Sequence, residues 1–190
     1  MNYNIPNILT YFRLAAIPFF LWAFLAQWYL VAFLLFLCAG GSDLIDGYIA
    51  RRLNQRTKTG AILDPLADKL LMAVTYLLLA TVHIIPWWFV ILIFAKDLLI
   101  VGGLGILRLS KVEIRYAPVF WSKATTLFLI LIGTMALLDL VVPGVAIGVY
   151  PLGDFVFGGI FITTGLIVIT MLQYVSRGIE LLQTRAPSSV

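Results

Sequence analysis

An all-α integral membrane protein, with six transmembrane helices and both termini in the cytoplasm, is predicted by three observations. The 190 residues are 62% hydrophobic and only 12% charged, where an ordinary soluble domain carries roughly 25% charged residues. The apolar residues gather into six runs, near 8–26, 29–49, 61–82, 88–107, 119–138 and 155–175, each close to the length of about 20 residues that a bilayer span needs. The basic residues, finally, crowd into alternate connections between those runs. Mean hydropathy of +1.05 and a single cysteine exclude a soluble domain, a disordered chain and a disulfide scaffold. One polytopic domain over 1–190 is expected, with 184–190 its only candidate for disorder.

The spans follow in order. Residues 1–6 lack a basic residue and no small-residue cleavage site follows the first run, so that span is expected to be retained and not removed as a signal peptide. The second run leads inward to Arg51 and Arg52, and the third returns from the connection around Arg56 and Lys58. The fourth ends at Arg108, before Lys111 and Arg115, and the sixth ends before Arg177 and Arg185. Connections 27–28, 83–87 and 139–154 hold no Lys or Arg, which puts the charged side in the cytoplasm by the positive-inside rule. Trp28, Trp87, Trp88 and Tyr150 then mark the outer interface, and Tyr11, Tyr116, Trp121 and Tyr174 the inner one. Asp139 and Asp154 flank the outer connection and are expected to be solvated.

Four of the nine acidic residues lie between positions 43 and 68. A carboxylate at a helix centre costs roughly 2.5–3.5 kcal/mol on insertion scales, and intramembrane acids are functional by default. Asp43 and Asp46 are three apart on the second span, and Asp64 and Asp68 four apart on the third, so each pair shares a helix face. A hairpin of these two spans brings the pairs together at its cytoplasmic end. Close carboxylates in a low dielectric need cations to stay ionised together. All-oxygen donors favour hard ions, Mg²⁺ or Mn²⁺, and two such ions about 3.5–4 Å apart can clamp the attacking and leaving oxygens of a phosphoryl group. Gly47, Ala50 and Gly60 stand one turn from the acids and leave room for a bulky polar substrate such as a nucleotide. Pro65 removes one amide from the third span's ladder beside Asp64. Arg51 is placed to meet phosphate or to hold an aspartate.

The segment reads Asp43-x2-Asp46-Gly47-x2-Ala50-Arg51-x8-Gly60-x3-Asp64-x3-Asp68, and it resembles the signature of the CDP-alcohol phosphotransferases at every fixed position. Asn4-Ile5-Pro6-Asn7-Ile8-Leu9-Thr10 with Arg13, and Leu63-Asp64-Pro65-Leu66-Ala67-Asp68-Lys69, are similar to phosphatidylglycerophosphate synthases and the related cardiolipin synthases. The resemblance implies six transmembrane helices, often in a homodimer. It also implies transfer of a phosphatidyl group from CDP-diacylglycerol to an alcohol, with release of CMP and direct attack by the acceptor hydroxyl. By the same resemblance Asp43, Asp46, Asp64 and Asp68 hold two divalent cations, Asp68 being also the candidate general base. Gly47, Ala50, Arg51 and Gly60 surround the CDP moiety, with Asn7, Thr10 and Arg13 near it. The active site is expected at the cytoplasmic face of a cell membrane, with membrane lipids as neighbours and no nucleic acid as partner. His83, on the outer side, and Cys38, expected as a small core residue, are badly placed for a covalent intermediate.

For the acceptor, Lys123, Arg115 and Lys96 are the candidate cations, and they suit an anionic alcohol, glycerol-3-phosphate. Lys96-Asp97 lies near mid-span, where side chains 100° apart cannot both face lipid, so a structural ion pair is the competing reading. Ser122-Lys123-Ala124-Thr125-Thr126 departs from the synthase pattern Gly-Lys-x-Lys-Thr by losing the second lysine. That leaves phosphatidylglycerol, the acceptor of cardiolipin synthases, and other alcohols as alternatives. A cation transporter is the alternative outside enzymes; it is disfavoured because all four acids sit in the first 70 residues, at one membrane face, with no internal repeat. The glycine groups 40–41, 102–105 and 158–159 are expected at close helix packing, within the chain or between two copies. Gly40 and Gly41 could equally border the active cavity.

Overall fold

The computed structural model describes residues 5–53, 60–109 and 120–183; the side chains of 5–10, 42–53, 60–62, 64, 104, 106–109 and 182–183 are outside that description. Six helices follow one another: α1 (Ile5–Leu25), α2 (Tyr29–Leu53), α3 (Gly60–Thr81), α4 (Trp87–Leu109), α5 (Phe120–Val141) and α6 (Leu152–Gln183). Each corresponds to one apolar run. At 1.5 Å per residue even the 21 residues of α1 extend about 31 Å, the thickness of a hydrocarbon core. Among the described residues α5 and, within α6, Leu152–Leu181 are long and apolar enough to cross a membrane by length and composition. Large side chains such as Phe19, Trp22, Leu98, Phe120 and Leu172 are exposed by more than half, a surface that water would punish and lipid does not.

α1 and α3 end alike. Trp28 N–H donates to the Ala23 carbonyl at 2.9 Å and Gln27 N–H to that of Phe24 at 3.0 Å; Ile84 N–H reaches the Leu79 carbonyl at 3.1 Å and His83 N–H that of Ala80 at 3.1 Å. This paired 6→1 and 5→2 pattern is a Schellman cap. It holds Gln27 and His83 at φ 62° and 63°, so His83 has a place in the fold as a helix terminator. Between α5 and α6 the sequence reading expected only a connection. There, β1 (Ala146–Ile147) pairs antiparallel with β2 (Tyr150–Pro151), and Gly148 supplies the positive φ of 67° that a two-residue hairpin loop demands at its first position. α5 runs on through Asp139, which is half-buried, while Asp154 is exposed in the first turn of α6.

The helices divide between two compact units, Met1–Ile85 with Gly133–Asp154, and Pro86–Ile132 with Phe155–Val190. In the first, α1 is the common neighbour of α2 and α3, which touch each other less. The buried stripe of α1 is Arg13, Ala16, Phe20, Ala23 and Phe24, and that of α2 is Ala32, Phe36 and Ala39. Both follow helical spacing. Small residues alternate with rings, and Phe20 meets Phe36 at 6.3 Å between centroids. Gly133 fits here as well, since a Cβ on it would stand 3.6 Å from Phe36; its packing role was not read from the sequence.

In the second unit α6 buries Val156, Ile160, Thr163, Ile167 and Thr170, a strict alternation of steps of four and three that makes one seam. Thr125 of α5 is hydrogen-bonded to Thr170 at 3.2 Å and donates to the Trp121 carbonyl at 2.8 Å, so this threonine of the synthase-like segment joins two helices. A Cβ on Gly159 would lie 2.9 Å from Ile132 Cγ1. Gly159→Ala is therefore expected to lose about 1–3 kcal/mol by overpacking. Its unfolding midpoint in detergent should fall, and Ile132→Ala in the same chain should recover part of the loss. The other expected packing glycines, Gly40, Gly41, Gly102, Gly103, Gly105 and Gly158, would meet nothing within 4 Å. Adjacent glycines point about 100° apart, so a cluster cannot present all its members to one neighbour. Cys38 is exposed, which corrects its expected core position: it lies with Leu34 and Leu37 on the outward face of α2, where a thiol is apolar enough to face lipid.

Candidate active site

Backbone order places the aspartates. Asp43 and Asp46 lie in the last three turns of α2, and Asp64 and Asp68 in the first three turns of α3. α3 is continuous through Pro65, so the expected loosening there does not break the helix. The side chains of Asp43, Asp46, Gly47, Ala50, Arg51, Gly60, Asp64, Asn7 and Thr10 lie outside the described set, as does Arg115 altogether. Among the described residues no group of three His, Cys, Asp or Glu side chains comes together.

Asp68 is described, and its surroundings were not foreseen. Arg13 Nη1 donates to Asp68 Oδ1 at 2.5 Å, and Arg13 Nε donates to the Ala39 carbonyl at 3.0 Å. The arginine has no exposed surface, while the Asp68 side chain keeps 40% of its own. Arg13 was expected near the nucleotide. Burial sets it in the α1 interface, where it joins all three helices of the aspartate region. It is the ninth residue of α1 and Asp68 the ninth of α3, so each lies about 12 Å along its helix. Ala39 is one turn before Asp43. A sequence signal for this was present in the rarity of a cation within an apolar run, but its partner lies 55 positions away.

The acceptor candidates separate. Lys96 is 7% exposed and stands 3.4 Å from Asp97, the ion-pair arrangement that competed with a substrate role. Lys123 is exposed in the first turn of α5.

The sequence profile of CDP-alcohol phosphatidyltransferases matches residues 3–176. The chain belongs to this family. Family membership and the long apolar helices make it a membrane protein. A Mycobacterium tuberculosis protein provisionally named a cardiolipin synthase is 40% identical over 119 residues, 60% of this chain and 56% of its own length. The Escherichia coli K12 protein named CDP-diacylglycerol–glycerol-3-phosphate 3-phosphatidyltransferase is 46% identical over 91 residues, 46% of this chain and 50% of its own. Its Salmonella typhimurium namesake is 45% identical over the same length. This CDP-alcohol phosphatidyltransferase chain spans about half the length of the curated relatives it matches.

Proposed function

We propose that this chain transfers the phosphatidyl group of CDP-diacylglycerol to glycerol-3-phosphate, giving phosphatidylglycerophosphate and CMP, at the cytoplasmic ends of α2 and α3 in a six-span, homodimeric membrane enzyme. The observation that carries the reading is the eight-residue signature shared between the end of α2 and the start of α3. It is supported by the name of the Escherichia coli relative. Asp68 takes the proton of the acceptor hydroxyl; the hydroxyl oxygen bonds to the diacylglycerol-linked phosphorus as the bond to CMP breaks. At 40% exposure this carboxylate is reachable by a hydroxyl in a way that a sealed one is not. Gly47, Ala50, Gly60 and Arg51 admit and hold the CDP moiety, with Asn7 and Thr10 at its edge.

The donor set fits hard divalent cations, since four carboxylates and no thiolate or imidazole occupy these two helix ends. Asp43, Asp46, Asp64 and Asp68 would hold two Mg²⁺ or Mn²⁺ ions, which when bound supply positive charge against the pyrophosphate. Lys123 and Arg115 favour an anionic acceptor, and Lys96 serves as the ion-pair partner of Asp97.

A second reading, transfer to phosphatidylglycerol, is favoured by the lost lysine in Ser122-Lys123-Ala124-Thr125-Thr126 and by the Mycobacterium tuberculosis relative's name. Radiolabelled glycerol-3-phosphate, CDP-diacylglycerol and Mg²⁺ with the purified protein are expected to yield labelled phosphatidylglycerophosphate and an equal amount of CMP. CMP release with phosphatidylglycerol alone would overturn the first reading in favour of the second, and release with neither would sink both.

A further inference from the structure

Among the described residues Arg13 is the bulkiest side chain with no exposed surface. A buried guanidinium is tolerable only when paired and hydrogen-bonded. Its planar fork fixes the directions of its N–H groups. Here one arm, Nη1, holds the Asp68 carboxylate of α3, and Nε holds the Ala39 carbonyl of α2. In an α-helix that carbonyl is also the acceptor for the N–H four residues on, which belongs to Asp43. One rigid group on α1 thus fixes Asp68 and the helical turn of α2 that leads from Ala39 to Asp43.

We infer that Arg13 is a positioning residue of the transferase. It sets the orientation of Asp68 and the register of α2 against α3, and it reaches no substrate itself. The inference rests on the reading of Asp68 as general base. It differs from a purely structural ion pair in what a lysine can replace. An ammonium keeps the positive charge beside Asp68 but cannot present two N–H groups in a fixed fork to carboxylate and carbonyl.

The test uses the full chain in detergent–lipid micelles, with Arg13→Lys, Arg13→Ala and Asp68→Asn each purified as monodisperse protein. Arg13→Lys is expected to retain the unfolding midpoint and the KM for CDP-diacylglycerol while kcat falls about a hundredfold, the order of loss from a misplacement near 1 Å. In Arg13→Ala, guanidinium chloride at concentrations below its denaturing range is expected to restore part of kcat, and sodium chloride at equal ionic strength is expected to restore none. Wild-type kcat in Arg13→Lys would overturn the proposal, as would a loss that only follows the fraction of folded protein, or equal response to the two salts. Asp68→Asn separates the two readings. If it turns over normally, the general-base reading fails and the inference goes with it. If it is inactive while Arg13→Lys is fully active, only the role of Arg13 falls.

Discussion

Asp68→Asn is expected to abolish turnover while leaving CDP-diacylglycerol binding largely intact. The amide has the size of the carboxylate but no basicity, and a positioned general base is worth about 10²–10⁴ in rate. An asparagine oxygen can still accept the Arg13 Nη1 hydrogen bond, so the geometry of the three helices is kept. The substitution does remove a carboxylate from the buried Arg13 guanidinium. Breaking a buried pair costs roughly 3–5 kcal/mol, and because the Asp68 side chain is 40% exposed the pair is only part-buried, so this variant is expected to lose less than that. The measurement is therefore paired: kcat under saturating substrates, and CDP-diacylglycerol binding by titration calorimetry on protein shown to be monodisperse. Retained activity would remove Asp68 as the base.

Asp43→Asn should act differently, weakening metal dependence and CDP-diacylglycerol binding together. Loss of an outer hydrogen-bond partner already costs about 10–100-fold in metal affinity, and loss of a direct ligand is expected to cost at least as much. The Mg²⁺ activation curve should move to higher concentration, and substrate affinity should fall with it, because the pyrophosphate loses its countercharge. Asp43 stands one turn beyond the Ala39 carbonyl that Arg13 anchors, so its backbone position is not expected to move. Full activity of the wild-type chain in the presence of a chelator would overturn the two-cation reading.

The helices were legible because apolar runs and polar breaks are local. The six expected apolar runs correspond to helices α1 to α6, and their ends differ by a few residues except at α6. That helix continues past the apolar stretch, through Arg177 and Glu180, to Gln183. The β1–β2 hairpin escaped because two-residue strands leave no periodicity to read. Residue-level packing was less legible. Of the clustered glycines Gly159 packs closely within the chain, against Ile132, a contact that no local pattern encodes, and Cys38 was placed inward from its chemistry alone, with no knowledge of which face of α2 is covered. At the candidate site the acidic positions were visible in their spacing. Arg13 was visible only as an oddity, because the contact joins residues from three helices and no local pattern encodes it. Nor did the sequence show that α1 stands beside both α2 and α3.

The Arg13–Asp68 pair also sets an order on biogenesis. Arg13 is synthesised 55 residues before the carboxylate that neutralises it, an interval of about 3–11 s at the usual pace of translation, 5–20 residues per second. During that time the guanidinium lacks its Asp68 partner, and its long side chain can reach the lipid headgroups. The Arg13–Asp68 contact can close only once α3 has been made. The junction that Arg13 makes with Ala39 and Asp68 is therefore completed by the last of the three helices to leave the ribosome.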